Sequence, residues 1–545
     1  MSCSEILHDA TPPMPAAPSP APYPAPGSPE ELARFAALQR GLAPMFRRVF
    51  GDPHAPRTVV VVPSLSLDAA ELKKLEGAPH YEERLLCLLL LLRLPARVVY
   101  VTSQPVSPAI VDYYLRLCDD VPYHDARRRL TMLHCDDGGP APLTEKILAR
   151  PELVERIRAL VGDPASAHLA CFNSTALERT LAVRLGVPLY GCDPELGHLG
   201  TKSGSRTVFR SAGVPLPAGY EHLRGVDDVA RALAELRREN PRLARAVVKL
   251  EEGFSGEGNA IFSYEGAPAG PAAAAWIRAN LASRMRCVAP GESWERYAEK
   301  FARIGGIVEA FVDGTDVRSP SVQCRIDPLG GTRIISTHDQ VLGGPTHQVY
   351  LGCTFPADAR YAADLDAPAR RVTEVLAARG VVGRFGIDFL SRRTPTGWEH
   401  EAIEINLRKG GTTHPFWTLQ LLTDGDYDGA TALYHSAAGR PCYYAASDNI
   451  QRPSYRGLGA EALLAAAGRE GLLFDAGSQS GVVFHLLGAL PRYGKLGAVA
   501  IGRTREHADA LFRQAVALLD GAARSSSVGC PIADCTGAPA ELPAA

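Results

Sequence analysis

The sequence predicts an α/β protein, and three observations carry that prediction. From Pro56 to Phe172 short apolar runs alternate with helical stretches, an order that implies a parallel layer of strands crossed over by helices. Between Arg318 and Gly344 the pattern changes to two strand-like runs on either side of Asp327-Pro-Leu-Gly-Gly331, the composition of a turn between paired strands. A hydrophobic content of 46% with 22% charge is that of packed globular cores, and 545 residues are enough for about three or four of them.

In chain order, residues 1–30 are rich in Ala, Pro and Ser and are expected to form a disordered tail. The first α/β unit spans 31–199, with strands at 59–62, 98–102, 130–134 and 168–172 and helices at 80–93 and 143–161. The Leu-rich run 85–94 is far short of the ~20 residues of a membrane span and reads as a buried helix. Asp193-Pro-Glu-Leu-Gly197 marks the join to a second unit, 200–428. An extension over 429–522 carries Tyr443-Tyr444, a helix at 460–469, strands at 481–487 and near 498–502, and a helix at 506–519; it is expected to wall part of a substrate pocket. From 523 to 545 Ser, Gly, Pro and Ala suggest a flexible end.

Composition excludes several classes of partner. A formal net charge of -2 and a pI near 6.7 leave no basic footprint, so nucleic acid is not expected. No charged start followed by an apolar segment opens the chain, and no membrane partner is expected. The twelve Cys contain no C-x-x-C; Cys530 and Cys535 are the only close pair. They read as reduced thiols of a cytoplasmic protein.

Chemistry concentrates between Gly200 and Pro415. Glu404-Ile405-Asn406 follows Asp388 by sixteen residues, and on a strand Glu404 and Asn406 share a face while Ile405 points into the core. With Asp388 on a neighbouring strand, the three side chains form an oxygen-rich set of the kind Mg²⁺ prefers. Upstream, Lys249 opens Lys249-Leu-Glu-Glu-Gly253-Phe-Ser-Gly256-Glu-Gly258-Asn259, a strand lysine followed by a Gly-rich loop. The loop lacks the ending of a Walker A motif and the spacing of a dinucleotide fingerprint, and alone it reads as a hairpin turn. Ile307-Val-Glu309-Ala310-Phe311-Val312-Asp313-Gly314-Thr315-Asp316 is a strand and turn whose backbone can read an adenine edge, with Glu309 as an acceptor for the exocyclic amine and Asp316 for ribose hydroxyls. Lys202 and Arg206 are four apart and share a helical face, and Ala212-Gly-Val-Pro215 stops that helix.

Taken in this order, the motifs from about Lys202 to Pro415 resemble those of the ATP-grasp fold, the nucleotide fold of carboxylate–amine ligases. The resemblance implies two α+β subdomains gripping ATP, preceded by a parallel α/β pre-ATP-grasp domain. It places Arg206 where relatives carry a phosphate-contacting Lys, a guanidinium being a more rigid cation. It makes Lys249 the α-phosphate lysine, the loop with Gly256 and Gly258 a mobile cover over the β- and γ-phosphates, and Glu309, Ala310, Val312 and Asp316 the adenine and ribose motif. Asp316 stands where the family usually has Glu. Asp388, Glu404 and Asn406 become ligands for Mg²⁺, with Mn²⁺ as a substitute.

The stretch Asn406-Leu-Arg408-Lys409-Gly410-Gly411-Thr412-Thr413-His414-Pro415 is similar to that of the ATP-grasp peptide ligases of pheganomycin-type biosynthesis. Arg408, on the face of Asn406, is then the residue beside the transferring phosphoryl group, and Gly410 and Gly411 let backbone N–H groups approach an oxyanion. Lys409 points the other way. Arg325 and His338, on the paired strands, are further catalytic candidates for holding a carboxylate and assisting proton transfer, whereas Asp339 and Arg318 read as solvated polar residues. His347 and His414 show no metal-ligand spacing with another His or Cys. The implied activity is ATP-dependent formation of an amide or peptide bond between small-molecule acid and amine substrates, through an acyl phosphate, in natural-product biosynthesis, by a homodimer as is common for such ligases. A kinase or carboxylase on the same fold and a non-catalytic ATP-binding module are the alternatives.

Overall fold

The computed structural model describes residues 23–67, 69–253, 258–289, 291–343 and 349–528. Most of the expected N-terminal tail, together with Gly256, His347, Cys530 and Cys535, lies outside the described residues.

The first unit is a parallel sheet of strands β1 (Arg57–Val62), β2 (Ala96–Thr102), β3 (Leu130–His134) and β4 (Ala167–Cys171) in the order β3-β2-β1-β4. All six residues of β1 are buried, because helices cover both faces. Val59 and Val61 pack into one core and Val60 and Val62 into another, the period-2 alternation of a strand between two layers. The Leu-rich run is a buried 3₁₀ helix, Ala78–Arg93. The expected single helix at 143–161 is two helices, Leu143–Leu148 and Pro151–Val161. Pro151 lacks an N–H and clashes with the turn before it, so it can only start a helix. The first helix, Pro29–Arg40, begins inside the expected tail, capped by Ser28.

The second unit brings two antiparallel sheets together. Strands β5 (Gly219–Leu223), β6 (Arg245–Leu250), β7 (Asn259–Ser263), β8 (Met285–Cys287) and β9 (Gly306–Ala310) pair in the order β5-β9-β6-β7-β8, with Val229, Leu233, Ile277 and Phe301 from three helices in their core. The larger sheet contains β10 (Val317–Arg318), β11 (Pro320–Ile326), β12 (Thr332–Gly343), β13 (Val349–Phe355), β14 (Gly383–Thr394) and β15 (Gly397–Asn406). The turn foreseen from Asp327 to Gly331 joins β11 to β12, with Gly330 at φ +83°.

A short hairpin, β16 (Asp426–Asp428) with β17 (Leu433–His435), precedes the C-terminal strands. These are β18 (Tyr443–Gln451), β19 (Gly481–His485) and β20 (Lys495–Gly502), and they do not form a separate layer. β18 pairs with β13, so the large sheet runs β10-β14-β11-β12-β13-β18-β20-β19 with β15 on β14. The final helix is also longer than expected. It continues from Arg505 to Val528, and Ala523, where the flexible end was placed, is buried.

Candidate active site

Between the two antiparallel sheets, and closed by the first unit and the C-terminal strands, lies a cavity of about 1050 Å³. Its acidic wall is made by β14 and β15. Asp388 stands directly opposite Glu404 in register, and Asn406 Nδ2 donates to Asp388 Oδ2 at 2.8 Å. All three line the cavity, and Ile405 between them is fully buried. Burial, with Glu404 alongside, pushes Asp388 up to about 6, partly countered by Ser321 and Lys202. Burial also opposes ionisation of Glu404, but Lys202 overrides it and holds this carboxyl below its ordinary range. Two carboxyls and an amide oxygen crowded onto one wall fit a hard divalent cation, whose charge relieves the repulsion that raises Asp388.

Basic residues answer this wall. Lys202, at the start of the helix Lys202–Ser211 capped by Thr201, forms an ion pair with Glu404. Sequence reading saw Lys202 on a helical face but not its acid partner. Lys249, at the end of β6, pairs with Glu309 on the adjacent β9. Arg206 departs from expectation. It is 2% exposed, gives Nη1 to Glu309 Oε2 and Nε to Glu221 Oε2, each at 3.2 Å, and is not part of the cavity wall. Two carboxylates hold its guanidinium inside the protein, so it positions Glu309. Glu309 in turn has both oxygens engaged by cations rather than free for an adenine amine. Asp316 is also drawn away, its Oδ1 2.8 Å from Arg318 Nε, while Ala310, Val312, Asp313 and Gly314 line the cavity. Gly253 and Gly258 close the base of the loop, where a Cβ on Gly253 would stand 3.2 Å from the Cα of Gly258.

The loop after Asn406 lies across the cavity. Arg408 and Gly410 to Thr412 line it. Burial weakens the hold of Arg408 on its proton, Glu404 and Asp388 strengthen it, and Arg84 weakens it again. Lys409 turns away, donating Nζ to the carbonyl of Cys171 at 2.5 Å, which ties the loop to β4. Arg325 and His338 are not brought to this site. Arg325 donates Nη2 to Tyr190 Oη at 2.9 Å beside Phe46 and Phe50. His338 is wholly buried, 2.6 Å from Tyr444 Oη, and burial lowers it to about 3, so it is a neutral core residue. Asp339 is no solvated residue either, since it accepts from Tyr361 Oη at 2.5 Å and Asp358 N at 2.8 Å.

A second cluster was invisible to sequence spacing. His414 Nε2, His485 Nε2 and Asp448 Oδ1 converge within 2.8–3.1 Å of one another, all buried, a hydrogen-bonded set whose atom types are also those of metal ligands. His485 fits only because Gly497 faces it across β19 and β20; a Cβ there would stand 2.0 Å from Nε2.

Comparison with known proteins places the chain in a family. A family described as IQCH-like ATP-grasp matches residues 194–265 and 278–425, and one described as the PGM1 C-terminal domain matches 462–515. The L-propargylglycine–L-glutamate ligase of Streptantibioticus cattleyicolor is 33% identical over 467 residues, covering 82% of this chain and 92% of the relative. The chain belongs to the ATP-grasp ligases. Zebrafish (Danio rerio) IQ motif-containing protein H is 24% identical over 424 residues, 70% of this chain and 40% of that protein. Among solved structures, the biotin carboxylase domain of Hydrogenobacter thermophilus 2-oxoglutarate carboxylase aligns with a TM-score of 0.49 at 15% identity, covering 84% of this chain and 89% of that one. An N5-carboxyaminoimidazole ribonucleotide synthetase aligns at 0.46 and 11%, covering 86% and 98%. As an ATP-grasp ligase the protein joins a carboxylate to an amine, consuming ATP and releasing ADP, and uses a divalent metal. Among the described residues no helix is long and apolar enough to cross a membrane.

Proposed function

We propose that the protein makes a peptide bond in the assembly of a small peptide natural product, joining a small amino-acid-like acid to the amine of an amino acid or peptide. The observation that carries this reading is the convergence of Asp388, Glu404, Asn406, Lys202, Lys249 and Arg408 on one cavity. A carboxylate oxygen of the acid attacks the γ-phosphorus of ATP, the bond to the β-phosphate oxygen breaks, and ADP leaves an acyl phosphate. The amine nitrogen then attacks the acyl carbon, loses a proton, and expels phosphate.

No nucleophilic side chain is required, since ATP activates the acid and the protein positions and neutralises. Asp388, Glu404 and Asn406 would hold Mg²⁺, which supplies charge neutralisation at the phosphates when bound. Lys249 and Lys202 would meet the phosphates and Arg408 the transferring group, and the backbone of Gly410 and Gly411 can meet an oxyanion. The use of ATP as substrate and nine unpaired described thiols support a cytoplasmic setting.

The test is incubation of the full chain with ATP, Mg²⁺ and pools of amino acids and short peptides, following ADP, phosphate and new masses. Equal amounts of ADP, phosphate and an amide are the expected result. ADP with a phosphorylated acid and no free phosphate would replace this reading by a kinase.

A further inference from the structure

On the wall of the same cavity, two cations outside the nucleotide motifs are short of partners. Arg84, on the 3₁₀ helix Ala78–Arg93, is 4% exposed, and Lys495, at the start of β20, is 6% exposed; both line the cavity. The Arg84 guanidinium lies 4.3 Å from the ring centre of Phe172 and 4.8 Å from that of Tyr81. Its Nε reaches the carbonyl of Tyr81 at 3.3 Å and its Nη1 reaches Asp448 Oδ2 at 3.4 Å, while the buried Nη2 has no partner. Lys495 Nζ donates to Tyr81 Oη at 2.7 Å, and among the described residues no carboxylate forms an ion pair with it. Tyr81 therefore joins the two cations, one from the first unit and one from the C-terminal strands.

The surrounding acids do not balance this charge. Asp448 is the only carboxylate on Arg84 among the described residues, and its other oxygen is taken by His414 and His485. Glu82 is bound by Ser103, Glu83 by His80 and the N–H of Gly488, and Glu76 by Gln451 and Arg456. Of the two buried cations only Arg84 has a directly paired carboxylate among the described residues, and Lys495 has none. A buried charge without a partner is costly, and a guanidinium clamped between aromatic rings is already oriented to receive a planar anion.

We propose that Arg84 and Lys495, joined through Tyr81, form a carboxylate-binding site for the amine donor, so that the donor is an α-amino acid or a peptide with a free C-terminal carboxylate. This rests on the ligase reading above. The acid must bring its own carboxylate to the phosphate end, at Asp388, Glu404 and Arg408, so a carboxylate held here is one that does not react. Arg408 is within electrostatic reach of Arg84 as well as of Asp388 and Glu404, which links the two ends across a short span. In an α-amino acid the amine and carboxylate share one carbon, so anchoring the carboxylate fixes the nucleophile.

The experiment has two arms. In the first, thermal protection of the full chain is measured with Mg²⁺ and a non-hydrolysable ATP analogue, against each of the twenty standard amino acids, a set of dipeptides, and the C-terminal carboxamide of every one. Arg84→Met and Lys495→Met are measured in parallel. A free acid that protects, a carboxamide that does not, and loss of that protection in both variants with the nucleotide shift retained is the expected result. In the second arm, each variant raises KM for the amine donor by about 10- to 100-fold, the range of a charge-assisted contact, and leaves KM for the acid and for ATP nearly unchanged. Carboxamides that protect or react as well as free acids, variants that keep the preference, or no protection by any compound would overturn the site. If donor protection depends on Arg84 and Lys495 but no amide ever forms, the ligase reading fails and the carboxylate site stands.

Discussion

The two ends of the cavity treat their cations in opposite ways. At the nucleotide end Lys202 is paired with Glu404, Lys249 with Glu309, and Arg206 with both Glu309 and Glu221. At the other end, among the described residues, Arg84 shares one carboxylate and Lys495 has only a phenol. The difference separates two uses of buried charge. The paired network fixes strand and helix positions before any ligand arrives, and a metal and phosphates must redistribute it. The sparsely partnered pair, Arg84 and Lys495, is completed by an added anion in the donor site proposed above.

Substitutions divide along the same line. Glu404→Gln carries the largest expected effect on catalysis. It removes one of the oxygens proposed for the metal and leaves Lys202 without its acid, and turnover measured as ADP and amide should fall by at least about a hundredfold, since even residues that merely support metal ligands contribute tenfold to a hundredfold. Full activity in this variant would remove Glu404 from the metal site. Arg206→Met should act on stability instead. Leaving Glu309 to Lys249 alone and the half-buried Glu221 to Arg210 alone should cost about 1–3 kcal/mol in urea unfolding, the range of lost hydrogen bonds to charged groups. A loss below ~1 kcal/mol, together with a large rise in KM for ATP, would return Arg206 to the phosphates.

What the sequence made legible follows from separation along the chain. Glu404 and Asn406 could be placed on one face because a strand has period two, and Asp388 opposite them because two strand-like runs sat close together. The parallel first sheet was legible for the same reason. Arg206 was misread because its fate depends on Glu221 and Glu309, 15 and 103 residues away. Lys495 and Tyr81 are 414 residues apart, and His414 and His485 are 71 apart. No periodicity connects such pairs; they meet because β18, β19 and β20 extend the sheet of the second unit and lean on the helix Ala78–Arg93. The helix break at Pro151 is written locally, in a residue that cannot continue a helix.

The smallest predicted effect provides a control, a buried polar residue that belongs to neither end. His338 is neutral in the fold, with burial holding it near 3 against an ordinary value of 6.5. The unfolded chain therefore binds a proton that the native state refuses, and stability falls as pH drops below 6.5 by about 1.4 kcal/mol per unit from this residue, continuing until pH approaches 3. His168 and His414, each lowered to about 4 by burial, add slopes of the same sign. Glu82, raised to about 7 by burial, and Asp388, raised to about 6, oppose them, because the native state holds their protons more tightly and gains stability as pH falls through those values. Comparing wild type with His338→Gln cancels every group but one. Urea unfolding at pH 5, 6 and 7 should show the variant less sensitive to acid, by about 0.7 kcal/mol from pH 7 to 6 and about 1.2 kcal/mol from pH 6 to 5, with KM for both substrates and ATP unchanged at pH 7.5. An altered donor KM would instead connect His338, through Tyr444, to the substrate end of the cavity.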